Sequence, residues 1–231
     1  LIDQKQKRKL LLENNRREQK KLIEEQNQKN KILTELKKKS KNFNKQIKIK
    51  QSQAESIDKE IQKLIRLAIA SSNKKEKNKL SNVFKLTPEA KILADNFKAN
   101  KGKLPWPVIQ GVVIQKYGTQ THPIVKTTKI KSTGITIASI NNAKVRTVFE
   151  GQVMSILSFK NSNPTVLVKH GNYITAYKNL SKVYVKKGQY LNSKEIIGEI
   201  FTNSQTGRTA LQFSVFNAMK PENPSFWLYS K

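Results

Sequence analysis

The chain has no cysteine among its 231 residues, which excludes disulfides, thiolate nucleophiles and cysteine metal sites. Its seven prolines and nine glycines all follow residue 87, and histidine occurs only twice. No run of about 18 apolar residues is present, so we expect no membrane-spanning helix. These absences predict a long helical part followed by a turn-rich part, with few side chains suited to holding a metal or moving protons.

Basic residues are abundant in both parts of the chain. Lysine and arginine outnumber acidic residues by 27 to 12 in residues 1–100 and by 18 to 4 in residues 101–231, for a net charge of +29. Such a surface attracts polyanions such as nucleic acid, anionic lipid or acidic wall polymers, although a solvated lysine-rich surface explains it equally well. Because no arginine-rich or aromatic-stacking motif accompanies the charge, we expect no nucleic-acid partner.

An apolar seam recurs at alternating steps of three and four residues in the helical part. It consists of Leu33, Leu36, Phe43, Ile47, Ala54, Ile57, Ile61, Leu64 and Ala68. A heptad-like repeat of this length is typical of a coiled coil, so we predict a coiled-coil helix over residues 1–70. Such a narrow seam needs a partner, either another helix or a second copy of the chain. Residues 1–30 fit the pattern less well and also fit a single solvated helix.

A polar, basic run breaks this pattern, and residues 71–102 are predicted to form a linker and a short helix. Thr87 is a suitable N-cap, and Pro88 fits the first helical position. Ile92, Leu93 and Phe97 then share one side of the helix. A helix this short is stable only when it docks on another part of the protein.

The pattern of residues 103–231 changes to short β-branched runs separated by glycine turns, which predicts an all-β sandwich or open barrel. We predict strands at 112–116, 134–138, 145–148, 152–158, 165–169, 173–177, 183–185, 196–201 and 210–216. The expected fold class is therefore α+β and multidomain: a long coiled-coil helix, a short helix and an all-β domain.

The β part contains a series of short motifs in a fixed order. They are Gly111-Val112-Val113 with Tyr117-Gly118, Gly134 to Ala138, Val145 to Val153, Val168 to Tyr177, Val185 to Gln189 with Ile197-Gly198, and Leu211-Gln212-Phe213 with Asn223-Pro224. Together these motifs resemble the lysostaphin/LytM type of zinc peptidase, family M23. They cover about half of the chain and keep the order and spacing of the family pattern.

The resemblance also implies where zinc ligands and catalytic histidines should stand, and this chain has other residues there. Ser132, Thr136 and Gln212 replace the three zinc ligands, while Asn179 and Ala210 replace the catalytic histidines. Hydroxyls and carboxamides are poor zinc ligands. We therefore expect no metal, no cofactor and no catalytic residue: a degenerate homologue that is not an enzyme. The two histidines, His122 and His170, match positions near the site and in a structural turn, respectively.

A coiled coil ahead of a zinc-less LytM domain resembles the EnvC group of murein hydrolase activators. The resemblance implies a periplasmic protein whose LytM groove binds and stimulates a peptidoglycan N-acetylmuramoyl-L-alanine amidase during division and daughter-cell separation. It also implies that the coiled coil engages an inner-membrane ABC-type division complex. In that group a helical segment can occlude the groove, and residues 71–102 are the candidate for such a regulatory element. The alternative is that this helix packs permanently on the domain as an N-terminal cap. The groove residues we predict are Lys131, Thr133, Tyr177, Asn179, Gln212 and Ser214. Tyr177 is the expected anchor.

The presumed rim is basic, with Lys129, Lys131, Lys178 and Lys182, so an amidase would need an acidic docking face. Two alternatives stay open: a peptidoglycan-binding LytM module with a coiled-coil spacer, and an M23-type metallopeptidase. The chain begins at Leu1 within a helical pattern, and we interpret it as a fragment or processed product whose targeting segment is absent.

Overall fold

The computed structural model describes residues 2–73, 84–122, 125, 128–158 and 162–230. Most of the predicted linker, residues 74–83, lies outside this description. The chain divides into two compact units, Leu1–Lys50 and Gln51–Lys231. The second unit thus includes the last turns of the long helix, whereas the sequence analysis begins the β domain at residue 103.

A single long helix, α1, runs from Ile2 to Asn73, as the absence of proline and glycine predicts. Within the first unit its apolar side chains are largely exposed, among them Leu33, Leu36 and Phe43. Among the described helices, none combines the length and apolar character that crossing a bilayer requires.

The short helix α2 spans Pro88–Ala99, which confirms the prediction. The Thr87 hydroxyl accepts a hydrogen bond from the Ala90 backbone amide at 3.3 Å, so the predicted N-cap is also present. Gly171 has a φ of +69°, and a Cβ added there would lie 2.4 Å from the Ala90 carbonyl oxygen. Glycine therefore allows the close approach of α2 to the turn before Tyr173.

Thirteen strands follow in the described residues. They are β1 (Val112–Gln115), β2 (Gly118–Thr121), β3 (Lys129–Ser132), β4 (Ile135–Ala138), β5 (Lys144–Arg146), β6 (Gly151–Leu157), β7 (Thr165–His170), β8 (Tyr173–Lys178), β9 (Leu180–Val183), β10 (Tyr190–Leu191), β11 (Ile196–Ile200), β12 (Ala210–Asn217) and β13 (Lys220–Glu222). The main antiparallel sheet has the order β1-β4-β12-β8-β7-β6-β10, and β13 pairs with β12. Strands β5, β11 and β9 form a second sheet, and β2 pairs with β3.

One face of the main sheet forms the larger hydrophobic core, with the second sheet, α2 and the C-terminal residues. Phe97 of α2 is fully buried, and its ring stacks on those of His170 and Tyr173 at centroid distances of 4.8 and 4.9 Å. Trp227 packs on the same ring. Helix α2 is therefore part of the core, at the Tyr173 end of β8. Lys178, at the other end of that strand, lies about 17 Å away along the strand.

The opposite face of the main sheet packs against the last turns of α1, residues 51–73, which we call the docked segment. Ile61, Ile65 and Ile69 are buried there in a cluster with side chains of the sheet, including Ile174 and Phe216. The apolar pattern predicts that Ile61 lies in a coiled-coil seam with another helix or a second copy of the chain. The structure corrects this assignment for the docked segment, because the chain's own sheet buries that stripe.

His170 is buried in the larger core with both ring nitrogens in hydrogen-bonding contact. Its Nδ1 donates to the Glu150 carbonyl oxygen at 2.5 Å, and its Nε2 lies 2.9 Å from the Thr175 hydroxyl. Burial lowers the pKa of His170 from 6.5 to about 4, because the cation would lose its hydration. The imidazole is therefore neutral in the folded protein across the physiological range.

We expect this buried histidine to make stability fall at mildly acidic pH. The unfolded chain binds a proton on this residue near pH 6.5, whereas the folded chain does so only near pH 4. The neutral His170 contributes roughly 3 kcal/mol to the free energy of unfolding above pH 6.5, and this contribution is lost as the pH falls towards 4. Titration of the two imidazole resonances by NMR checks it, with His122→Gln to assign them. A His170 resonance that titrates near pH 6.5 would contradict the expectation.

Candidate functional site

A row of three side chains crosses the centre of the main sheet on the face that carries the docked segment. Gln212 on β12 lies opposite Thr136 on β4 and opposite Lys178 on β8. Directly opposed residues in an antiparallel sheet point to the same side, with Cβ atoms about 5 Å apart. Two of the three positions that the resemblance assigns to zinc ligands are therefore neighbours, and we call these three residues the central row.

The remaining replaced positions lie at the ends of strands next to this row. Ser132 ends β3, and its hydroxyl donates to the Gly134 carbonyl oxygen at 2.9 Å. Asn179 follows β8 with a φ of 72°, a left-handed conformation that asparagine tolerates. Its Nδ2 donates to the Ala210 carbonyl oxygen at 2.7 Å, so the two positions expected to carry catalytic histidines are also in contact.

The donor set at these positions does not suit zinc. The Thr136 hydroxyl donates to Oε1 of Gln115 at 3.1 Å, and the Ser132 hydroxyl is used within its own turn. The third position, Gln212, offers a neutral carboxamide, whereas zinc sites in proteins use imidazole, thiolate or carboxylate. Within the described parts of the chain, no group of three or more His, Asp or Glu side chains is placed to hold a metal ion.

Restoring the ligands should therefore restore zinc binding. We expect a Ser132→His, Thr136→Asp, Gln212→His variant to retain about one zinc per chain after gel filtration, and the unmodified chain to retain almost none. Elemental analysis measures both, and Gln212→His alone is the control, because one imidazole does not hold zinc tightly. Stoichiometric zinc in the unmodified chain would contradict the argument from the donor set.

The six predicted groove residues do not all lie on one surface. Lys131 and Gln212 are exposed, and Thr133 is partly buried beside the docked segment. Ser214 faces the same side as Gln212 but is buried against Gly134, where an added Cβ would lie 2.3 Å from the serine Oγ. Gly134 thus permits close packing of the loop before β4 on β12.

Tyr177 is the predicted residue that the structure places elsewhere. Its side chain is fully buried on the inner face, with its ring 5.4 Å from that of Phe213. The Val148 backbone amide donates to its hydroxyl at 2.9 Å, and burial raises the pKa of the phenol. Tyr177 therefore stabilises the domain interior and cannot anchor a partner on the outer face.

Asp58 of the docked segment reaches the central row, and the sequence analysis does not identify it. One carboxylate oxygen forms an ion pair with Lys178, and the other accepts a hydrogen bond from the Thr133 hydroxyl at 2.8 Å. The side chains of Lys178 and Asp58 are 7% and 21% exposed, so this ion pair is largely shielded from water. The feature of the sequence that could have identified Asp58 is its position three residues before Ile61, the first of the three isoleucines Ile61, Ile65 and Ile69.

The sequence model of Peptidase family M23 matches residues 130–224, which include β4 to β13. An uncharacterized protein of Haemophilus influenzae is 24% identical over 121 residues, and the match covers 52% of this chain and 28% of that relative. The chain thus matches less than a third of that relative's length.

Solved structures that match part of this chain include the SpoIIQ–SpoIIIAH pore-forming complex and a zinc-containing peptidase from Vibrio cholerae. The first match has a TM-score of 0.47 and 19% identity, and it covers 56% of this chain and 92% of that one. The second has a TM-score of 0.46 and 22% identity, and it covers 54% and 40%, respectively. On the match to the family model, the C-terminal β domain of this chain is similar to the domains of Peptidase family M23.

Proposed function

We propose that the chain is a non-catalytic activator that binds and stimulates a peptidoglycan N-acetylmuramoyl-L-alanine amidase during cell division and daughter-cell separation. The observation that carries the proposal is the outer sheet face beside the central row, which already binds a helix, the docked segment. Neutral side chains at the former ligand positions support a role in binding rather than hydrolysis. A face that buries a helix through apolar and charged contacts is suited to a helical segment of a partner protein.

Two further partners belong to the proposal. The exposed apolar side chains of residues 2–50, such as Leu33 and Phe43, provide a surface for an inner-membrane ABC-type division complex. In this proposal the protein lies in the periplasm, where it can contact both partners. In this proposal the docked segment occupies the amidase site at rest, a role that the sequence analysis gives to residues 71–102.

The test is release of dye from labelled peptidoglycan by a purified amidase, with and without this chain. We expect little cleavage by either protein alone and a clear rise when both are present. A variant with Ile61→Ala and Ile65→Ala should stimulate more strongly than the unmodified chain, because its docked segment is released more easily. Leu33→Ala with Leu36→Ala is the matched control, because it removes apolar helix residues outside the β domain. No stimulation by either the unmodified or the released form would refute the activator function.

The basic surface supports a second candidate, a peptidoglycan-binding module in which α1 acts as a spacer. Co-sedimentation with purified sacculi and capture of an amidase separate the two functions. Peptidoglycan cleavage by the chain alone would instead support the metallopeptidase alternative, against which the donor set argues.

A further inference from the structure

We propose that Lys178 and Thr133 form a carboxylate-binding subsite that selects the helix a partner places on the outer face. The expected occupant is an amphipathic helix with an acidic residue in the place of Asp58 and branched aliphatic residues three, seven and eleven positions later. This inference rests on the proposed function, since it names the chemistry of the partner that the face receives.

The subsite is built from a buried cation and a neighbouring hydroxyl. The Lys178 side chain is only 7% exposed and forms its ion pair with Asp58, while Thr133 donates to the second oxygen of the same carboxylate at 2.8 Å. A buried ammonium without an anion carries a large desolvation penalty. Any ligand that displaces Asp58 must therefore bring a negative charge of its own.

The spacing of the docked segment supplies the rest of the recognition pattern. Ile61, Ile65 and Ile69 follow Asp58 at positions three, seven and eleven, and all three are buried against the sheet. Residues at these intervals lie along one side of a helix. A partner helix with the same pattern would bury equivalent apolar surface and neutralise the same lysine.

The other two residues of the central row are neutral. Lys178 is therefore the member of the row that distinguishes an acidic partner helix from a neutral one. Gln212 and Thr136 carry no charge, and the Gln212 side chain is exposed. Lys182, on the following strand, has a side chain that is 66% exposed and lies 3.4 Å from Glu199. Because Lys182 is exposed and has its own acidic partner, it is the matched control for Lys178.

The experiment uses a fluorescent peptide with the sequence of residues 51–73 of this chain. The protein is the full chain with Ile61→Ala and Ile65→Ala, so that its own helix competes less. We expect the peptide to bind, and the peptide with Asp58→Asn to bind about ten- to hundredfold more weakly, since a charge-assisted contact is lost. Fluorescence anisotropy measures both affinities. Because this change is made in the peptide, misfolding of the protein cannot imitate the result.

A substitution in the protein then shows which lysine causes the preference for the acidic peptide. With Lys178→Met, the two peptides should bind with similar affinity, whereas Lys182→Met should keep the full difference. If the protein that retains Lys178 binds the two peptides with equal affinity, the proposed subsite is wrong, whether or not the chain stimulates an amidase. Conversely, a clear peptide preference without amidase stimulation would leave the subsite standing and refute only the proposed function. Displacement of the peptide by an equal concentration of wall stem peptide would overturn the assignment to a helical partner.

Discussion

Replacement of Phe97 by alanine is expected to lower the free energy of unfolding of the β domain by about 3–5 kcal/mol. The ring is fully buried and contacts His170, Tyr173 and Trp227, with centroid distances of 4.8 to 4.9 Å. Truncation therefore removes apolar burial, leaves a cavity and loses the aromatic contacts. Since α2 has only 12 residues, we also expect it to detach from the turn at Gly171.

Urea unfolding followed by tryptophan fluorescence measures this loss, because Trp227 packs directly on Phe97. Lys98→Ala is the control, since it changes the adjacent, exposed residue of the same helix. A loss below about 1 kcal/mol for Phe97→Ala would mean that α2 is not a cooperative part of the domain.

Replacement of both Ile61 and Ile65 by alanine is expected to free the docked segment from the sheet. Truncation of a buried isoleucine costs about 2–5 kcal/mol, although the two effects are not additive because the residues are neighbours. The remaining anchors, including Ile69 and the ion pair of Asp58, are too few to hold the helix end in a single position. Local opening should follow while the rest of the β domain stays folded.

Hydrogen exchange with peptide-level mass spectrometry measures this opening. Protection over residues 57–69 should fall by at least tenfold, while protection of β7 and β8 falls much less. The Leu33→Ala, Leu36→Ala variant should leave protection in residues 57–69 unchanged, since both side chains are exposed. Equal loss of protection in the sheet and in the segment would show that the helix end is part of the same unfolding unit.

The sequence predicts the regular elements well where local chemistry decides them. The Thr87 cap and Pro88 define the start of α2, and the period of two identifies strands such as β7 and β8. Strands β2 and β3 are not predicted, because Gly118–Thr121 and Lys129–Ser132 are short and mostly polar, without the repeated alternation of apolar and polar residues that marks a half-buried strand.

The docking of α1 could not be read from its periodicity. The stripe at 57, 61, 64 and 68 suits a partner helix, but the buried isoleucines are Ile61, Ile65 and Ile69, at successive steps of four. The two patterns share only Ile61, and their later positions differ by one residue. Periodicity alone does not tell whether a helix or a sheet covers such a stripe. The sequence therefore identifies an apolar stripe but not the surface that buries it.

The motif spacing brings the replaced ligand positions together, but it does not give the direction of every side chain. The replaced ligand positions Thr136 and Gln212 are neighbours, as the motif spacing suggests. Tyr177, however, points inward because successive residues of a strand alternate between faces, and Lys178 occupies the outward position next to it. Asp58 could not be found from the motifs, since it lies 120 residues from its partner in the chain.

The close contact of α2 with the turn at Gly171 has a practical consequence for recombinant work on this protein. A shortened version that starts at residue 103, or where the similarity to the peptidase family begins, would lack Phe97, whose ring fills the interior of the β domain. Such a piece should be insoluble or prone to aggregate when expressed. Truncations intended for crystallisation should begin upstream of Thr87, and those that retain the charged contact at Lys178 should begin no later than Gln51.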